Sequence, residues 1–151
     1  MKKSILVTLT TFFVFNFSIA QAVNHSTQEN FNYCFQMCVS AINDTEDYAD
    51  LIMNRNHDVA VIRRQDCNTL KETLEFFWHN DSAKGAESLT LMIETTTIIL
   101  ERYLTLDYFI SALDAGVAGN MTLFEEYKRK MLQSLESSLR LRQDFKSKYG
   151  Y

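Results

Sequence analysis

Residues 86–114 read AESLTLMIETTTIILERYLTLDYFISALD, and this stretch decides the fold class. It contains neither glycine nor proline. Its apolar side chains recur at helical spacing, which predicts an inward stripe of Leu89, Ile93, Leu100, Tyr103, Ile110 and Leu113. β-Branched residues, which favour strands, crowd between Ile93 and Ile99. A single strand would have no partner here, so the sequence predicts one long helix over about residues 86–114.

The rest of the chain has the same character. It contains no proline and only four glycines, whereas strand-and-turn folds need both residues often. A capping box at Ser26–Glu29 predicts the start of a first helix that runs to a polar break at residues 54–58. A second helix is predicted over about residues 59–79. Thr122–Glu125 is another capping box and predicts the start of the last helix.

Each of these three helices has an apolar face at helical spacing. The inward residues expected are Phe31, Cys34, Phe35, Cys38, Ile42, Ala49 and Ile52 in the first helix, Ile62, Cys67, Leu70, Leu74, Phe77 and Trp78 in the second, and Phe124, Tyr127, Met131, Leu135, Leu139 and Phe145 in the last. Four helices joined by short loops pack best in alternating directions. The predicted fold is therefore all-α, an antiparallel up-down four-helix bundle formed by residues 23–151 as a single domain.

The first 22 residues have the three parts of a cleavable signal peptide. Lys2 and Lys3 are followed by an uncharged apolar run over residues 5–20, and then by the small-x-small triplet Ala20–Ala22. The apolar run is shorter than the roughly 20 residues that span a bilayer. Cleavage after Ala22 and a secreted or periplasmic location are expected, with no stable membrane insertion of the mature chain.

The charge of the mature chain argues against nucleic acid as a partner. The full sequence has 15 basic and 19 acidic residues. Removal of Lys2 and Lys3 leaves 13 basic against 19 acidic, a net charge of −6. Binding to nucleic acid is dominated by neutralisation of phosphates, which needs an excess of basic residues.

Three cysteines remain after cleavage: Cys34, Cys38 and Cys67. An exported protein favours disulfides, and a Cys38–Cys67 bridge is the preferred pairing. If the first turn is centred near Asn56, these two residues lie two helical turns apart, so the bridge requires the first helix to end earlier, near Asp44. The alternatives are buried thiols and, with less support, a Cys34/Cys38 metal or redox pair.

No pattern of catalytic or metal-binding residues stands out. The three histidines, His25, His57 and His79, are scattered, and no Glu-x-x-His motif, nucleophile elbow or Cys-x-x-Cys-His haem motif occurs. The sequence therefore predicts no catalytic residue, no metal site and no cofactor, and the protein is not expected to be an enzyme.

Four consecutive rings, Phe76, Phe77, Trp78 and His79, are the candidate binding site. At 100° per residue they sweep around most of the helix, so a single core face cannot take all of them. The predicted topology brings aromatic residues from both chain ends to the same end of the bundle: Phe31, Tyr33, Phe35, Phe145, Tyr149 and Tyr151. One interpretation is an aromatic plug that closes the bundle. The other is a partly exposed anchor for a partner, with Tyr149 as a further contact, because Trp and Tyr dominate binding hot spots.

The function predicted from the sequence is binding of a partner protein, as in an inhibitor, an immunity protein, an adaptor or a chaperone. The alternative is a small-ligand or haem carrier that uses the bundle interior, with methionine and histidine as ligands.

Overall fold

The computed structural model describes residues 27–46, 56–80 and 85–151. These residues form four helices: α1 (Thr27–Asp44), α2 (His57–His79), α3 (Ala86–Val117) and α4 (Met121–Tyr149). No strand occurs within these ranges, so the all-α prediction is confirmed for the described part of the chain. The predicted signal peptide, His25, and Ala49 and Ile52 of the predicted first helix lie outside the described residues.

The long helix α3 is the central element, and each of the other three helices packs against it. It runs through the β-branched stretch without interruption, as predicted. Thr95, Thr96 and Thr97 each donate a hydroxyl hydrogen bond of 2.8 Å to the carbonyl four residues earlier in the helix. Their hydroxyl groups are therefore satisfied inside α3 itself, and this allows threonines to be buried in a helix.

Asparagine side chains cap two of the helices. The Asn56 side chain accepts a hydrogen bond from the backbone N–H of Val59 at the start of α2, and Asn120 does the same for Leu123 at the start of α4. The prediction that a capping box at Thr122 begins the last helix is wrong, because Asn120 already caps it. Gly150 ends α4 in the left-handed conformation at φ 72°.

The contacts of α3 with α2 and α4 run in opposite order along the paired helices. Arg64 of α2 contacts Asp107 at 2.6 Å, and His57, earlier in α2, contacts Asp114, later in α3, at 3.2 Å. On the α4 side, Lys148 lies 2.5 Å from Glu94. The Tyr127 ring, earlier in α4, stacks on Tyr108, later in α3, with centroids 6.5 Å apart.

The contacts of α1 with α3 run in the same order along both helices. The Cys34 thiol is hydrogen bonded to the hydroxyl of Ser88, and the Cys38 thiol to that of Thr95. Further along, the buried guanidinium of Arg102 donates to the carbonyl of Ile42 and to the hydroxyl of Thr45. This last contact lies at the end of α1, which stops at Asp44 rather than at the polar break of residues 54–58 as predicted.

Several residues predicted to face inward are exposed. The core of the described residues includes Cys38, Ile42, Cys67, Leu74, Phe77, Ile99, Leu106 and Phe145. The residues whose predicted orientation is wrong are Ile62, Leu89, Ile93, Leu100 and Leu139. On α3 the reason is that apolar residues occur on every side of the helix, so its spacing does not single out one buried stripe.

Among the described residues, no helix is both long enough and apolar enough to cross a membrane.

Candidate functional site

The helix rotation between Phe76 and Phe77 places one ring outside the protein and the other inside. Phe77 is only 6% exposed and belongs to the core, whereas Phe76 is 58% exposed. The two rings meet edge to face, with centroids 6.3 Å apart. The outer ring therefore stands on a rigid base, because the residue next to it is fixed in the core.

Trp78 and His79 extend this surface by one residue pair. Trp78 is partly buried and packs against the core, and its ring stacks on His79 with centroids 4.6 Å apart. Its indole N–H has no hydrogen-bond partner among the described residues. His79 is exposed at the last position of α2. Phe76, Trp78 and His79 are referred to below as the aromatic end of α2.

A second aromatic cluster joins α1 to α4 and packs against the core, with Phe145 buried and the other rings partly buried. Phe35 contacts Tyr149 at 6.4 Å, Phe145 contacts Tyr149 at 4.7 Å, and Phe145 contacts Tyr151 at 5.7 Å. Phe31 stacks on Phe35. This cluster has the character of the predicted plug, since its rings pack against one another and against the core.

Tyr149 has an internal hydrogen bond. Its hydroxyl donates to one carboxylate oxygen of Glu94 at 2.9 Å, while Lys148 binds the other oxygen at 2.5 Å. Burial raises the pKa of the Tyr149 phenol above its ordinary value, so it remains a donor at neutral pH. Tyr149 therefore ties the end of α4 to α3, and its hydroxyl group is already bound within the chain.

The three cysteines are buried, and the structure has no disulfide among them. Cys38 lies level with Thr95 of α3. Cys67 lies one turn beyond Arg64, which contacts Asp107, and is thus near the level of Leu104. About nine helical residues, or about 13 Å, separate these levels, whereas bridged Cα atoms lie within about 7 Å. The predicted Cys38–Cys67 bridge is therefore not formed.

The thiols of α1 are held in their neutral form. Burial is the main cause that raises the pKa of Cys38 to about 12, outweighing the hydrogen bond to Thr95, and Cys34 one turn away adds to the rise. Burial also raises the pKa of Cys34. Because the thiolate is the reactive form, these two residues behave at neutral pH as small apolar side chains.

Among the described residues, no group of three His, Cys, Asp or Glu side chains is placed to hold a metal ion. His57 lies between two carboxylates, 3.5 Å from Asp58 and 3.2 Å from Asp114. His79 stacks on Trp78. Each of these histidines therefore has a local structural partner.

The sequence did not predict the apolar row on the outer side of α3. Leu89, Ile93 and Leu100 are 36%, 40% and 39% exposed although they belong to the central helix. Beside this row, a groove of about 250 Å³ between α3 and α4 is lined by Glu101, Leu104, Tyr108, Lys130, Gln133, Ser134 and Ser137. A signal was present in the sequence: α3 is apolar all round, and only three other helices were predicted to cover it.

A search of protein-family models gave no match to this chain, and searches of curated proteins and of solved structures gave none either.

Proposed function

We propose that the mature chain is exported and binds a partner protein through the aromatic end of α2. The main support is Phe76, a large apolar ring with 58% of its surface exposed beside a neighbour that is fixed in the core. Aromatic side chains on rigid supports lose little conformational entropy on binding and contribute most of the energy of many interfaces.

The neighbours of Phe76 support the same function. Trp78 and His79 form a stacked pair beside it, and His79 is exposed at the end of α2. Tyr149, the other predicted contact, serves the proposal less well because its hydroxyl is bound to Glu94.

The proposed architecture is the antiparallel up-down four-helix bundle. It is supported by the opposite order of contacts between α2 and α3 and between α3 and α4, and by the common order of contacts between α1 and α3. The contacts of α1 with α4 also run in opposite order, since Phe35 contacts Tyr149 and Glu46, after α1, pairs with Arg142, earlier in α4. Alternation of helix direction predicts each of these orders.

Export after cleavage at Ala22 is part of the proposal and rests on the sequence of residues 1–22. The intact mass of the exported protein tests it: a mature chain that begins at Val23 is expected, and a chain that keeps Met1 would contradict it. The carrier alternative gains no support from the groove between α3 and α4, whose volume of about 250 Å³ lies below the roughly 300–1,000 Å³ typical of ligand pockets.

Site-specific photo-crosslinking tests the binding surface in cells of the source organism. A benzophenone amino acid replaces Phe76 in one variant and Leu139 in a matched control, since Leu139 is an equally exposed apolar residue (56%) on α4. We expect the variant at position 76 to crosslink to one protein, which mass spectrometry identifies, and the variant at position 139 not to.

The identified protein then allows a direct measurement of affinity. Phe76→Ala is expected to weaken its binding by about 2 kcal/mol, or roughly 30-fold in Kd, and Leu139→Ala to leave it unchanged. Crosslinking to no protein at position 76, or equal crosslinking at both positions, would contradict the proposal. A small molecule that leaves the native protein on denaturation would favour the carrier instead.

A further inference from the structure

Cys34 and Cys38 lie one turn apart on the face of α1 that packs against α3. Both are buried, at 3% and 0% exposure, and each thiol is hydrogen bonded to a hydroxyl group of α3, that of Ser88 or that of Thr95. Cys67 lies too far along the bundle to reach Cys38 and is farther still from the level of Cys34. Within the chain, each thiol of α1 can therefore pair only with the other.

A regular helix holds these two thiols close together but does not let them bond. Residues four apart in a helix have Cα atoms about 6 Å apart, which is within the range of about 4.4–6.8 Å found in disulfides. Their Cβ atoms are also about 6 Å apart, whereas a disulfide needs a Cβ separation of about 3.8 Å. Closing a bridge between Cys34 and Cys38 therefore requires the helical turn between them to deform by about 2 Å.

The docked position of α1 resists this deformation. A bridge would draw both sulfur atoms toward each other and away from the hydroxyl groups of Ser88 and Thr95. It would also displace the next turn, where Ala41 and Ile42 are 1% and 0% exposed. Protein interiors are close-packed, so such a displacement has no free space to use. The disulfide and the docked, regular α1 therefore exclude each other.

Release of α1 from its position on α3 can occur without unfolding the other three helices. The fully buried apolar side chains of α1 are small apart from Ile42. In contrast, α2, α3 and α4 bury large side chains, including Leu74, Leu106 and Phe145. Local opening is most frequent where few large apolar contacts hold an element in place. Opening of α1 exposes both of its thiols at once.

The reaction that closes the bridge uses a small disulfide, such as oxidised glutathione, as the oxidant. One protein thiolate attacks a sulfur of the small disulfide, forms a mixed disulfide and releases one small thiolate. The second protein thiolate then attacks the protein-bound sulfur, which forms the Cys34–Cys38 bond and releases the other small thiolate. The protein loses two electrons and two protons, and the small disulfide is reduced to two thiols that take up these protons.

Docking controls when this reaction can begin. Burial raises the pKa of both thiols and keeps them protonated while α1 is docked, and only the thiolate attacks a disulfide. The oxidant is present in the oxidising compartments to which the proposed export would deliver the chain.

From these observations we propose that Cys34 and Cys38 form a redox switch: α1 docks on α3 only while both residues are thiols, and a disulfide between them holds α1 away from α3. Release uncovers the guanidinium of Arg102 together with the hydroxyl groups of Ser88 and Thr95. Excess thiol reverses the reaction by the same exchange and restores docking. The switch does not depend on the partner proposed for the aromatic end of α2.

Oxidation of the purified mature chain in buffers of oxidised and reduced glutathione tests the proposal. Unfolding with an alkylating reagent then labels every remaining thiol. Trypsin does not cut between Cys34 and Cys38, but it separates both from Cys67 at Arg55 and Arg64. We expect one peptide that carries the bridge and a second peptide with labelled Cys67. A chain that forms no such bridge at any glutathione ratio would overturn the proposal.

Hydrogen–deuterium exchange of the oxidised chain measures the release of α1. The amides of α1 are expected to lose their protection while those of α3 and α4 keep it, and reductant is expected to restore the protection. Cys34→Ala should keep α1 protected under the same oxidising conditions, and the control Cys67→Ala should behave as the unchanged protein does. A bridged chain whose α1 remains fully protected would contradict the switch.

The rate of bridge formation separates local release from global unfolding. Arg102→Ala removes the bonds to Ile42 and Thr45, so α1 opens more often and the bridge is expected to form at least about tenfold faster. Thr45→Val removes only one of these bonds and should give a smaller increase.

Met131→Ala is the matched control for lost stability. Met131 is buried in α4 one turn from Tyr127, which stacks on Tyr108, so the cavity lies away from the two thiols. The rate is expected to stay within about twofold of that of the unchanged protein. Equal acceleration by Arg102→Ala and Met131→Ala would show that oxidation needs global unfolding and would overturn the local release of α1.

Discussion

The side of α3 that lies under α1 buries several polar side chains, whereas the opposite side exposes several apolar ones. The side under α1 buries polar groups, namely the hydroxyls of Ser88 and Thr95 and the guanidinium of Arg102, all at most 3% exposed. The side away from α1 carries Leu89, Ile93 and Leu100 in contact with solvent. Burial in this helix therefore does not follow apolar character alone: Leu91, Ile99 and Leu106 are buried as expected, but so are polar groups that find a hydrogen-bonding neighbour.

This difference follows from what α1 offers. Its buried face consists mostly of small side chains, Cys34, Cys38, Ala41 and Thr45, with Ile42 as the one large apolar residue. Around these residues Phe31, Phe35, Met37 and Val39 are partly buried against the core. The α1–α3 interface therefore combines apolar packing with satisfied hydrogen bonds, whereas the outer face of α3 leaves apolar side chains in contact with solvent.

Among substitutions on the two sides of α3, Arg102→Ala is expected to lower the free energy of unfolding most. The substitution removes the donor for Ile42 and Thr45 and leaves a cavity under the end of α1. We expect the free energy of unfolding to fall by about 3 kcal/mol, measured by urea denaturation. Arg102→Lys keeps the charge and should lose less. A loss below about 0.5 kcal/mol for the alanine variant would show that the polar side of α3 does not hold α1.

The stability of the protein at alkaline pH tests the side of α3 under α1, where Cys38 packs beside Thr95. Its pKa is raised to about 12 in the folded protein from an ordinary value near 9, so between these pH values the unfolded chain binds fewer protons than the folded one. Stability is therefore expected to fall as pH rises through this window, with Cys38 contributing about 1.4 kcal/mol per pH unit. Cys38→Ala should reduce the slope of unfolding free energy against pH by that amount. Equal slopes for both proteins would contradict the burial of this thiol.

The smallest effect on the free energy of unfolding is expected for a substitution on the outer side of α3. Leu100→Gln should change the free energy of unfolding of the monomer by no more than about 0.5 kcal/mol, because Leu100 already contacts solvent. The measurement is urea denaturation of this variant beside the unchanged protein. A loss of 2 kcal/mol or more would place Leu100 in the core and remove the contrast between the two sides.

The sequence was sufficient to predict the helices because their signals are local. Absence of proline, scarcity of glycine and the spacing of apolar residues gave all four helices to within a few residues, apart from the end of α1. At that end Arg102, 60 residues away in the chain, donates to the carbonyl of Ile42, while Thr45 bonds locally to the carbonyls of Ala41 and Ile42. The apolar spacing that predicted a longer helix carries no information about the contact with Arg102.

The candidate site was predictable in part. The excess of rings at residues 76–79 showed that one of them would be left outside, and the structure identifies Phe76. The sequence could not separate Tyr149 from this group, because its hydrogen bond to Glu94 depends on how α3 and α4 meet. The row on α3 was placed inward, since a helix that is apolar on every side gives no clue to which side its neighbours leave open.

The bond from Arg102 to the end of α1 also sets an order of events during synthesis. The chain is made from its N-terminus, so α1 is complete some 60 residues before the side chain that fastens it exists. The other contacts of its seat on α3, Ser88 and Thr95, are made only shortly before Arg102. The first described helix must therefore wait for α3 before it can dock. Until then Cys34 and Cys38 lack the cover that buries them in the folded protein.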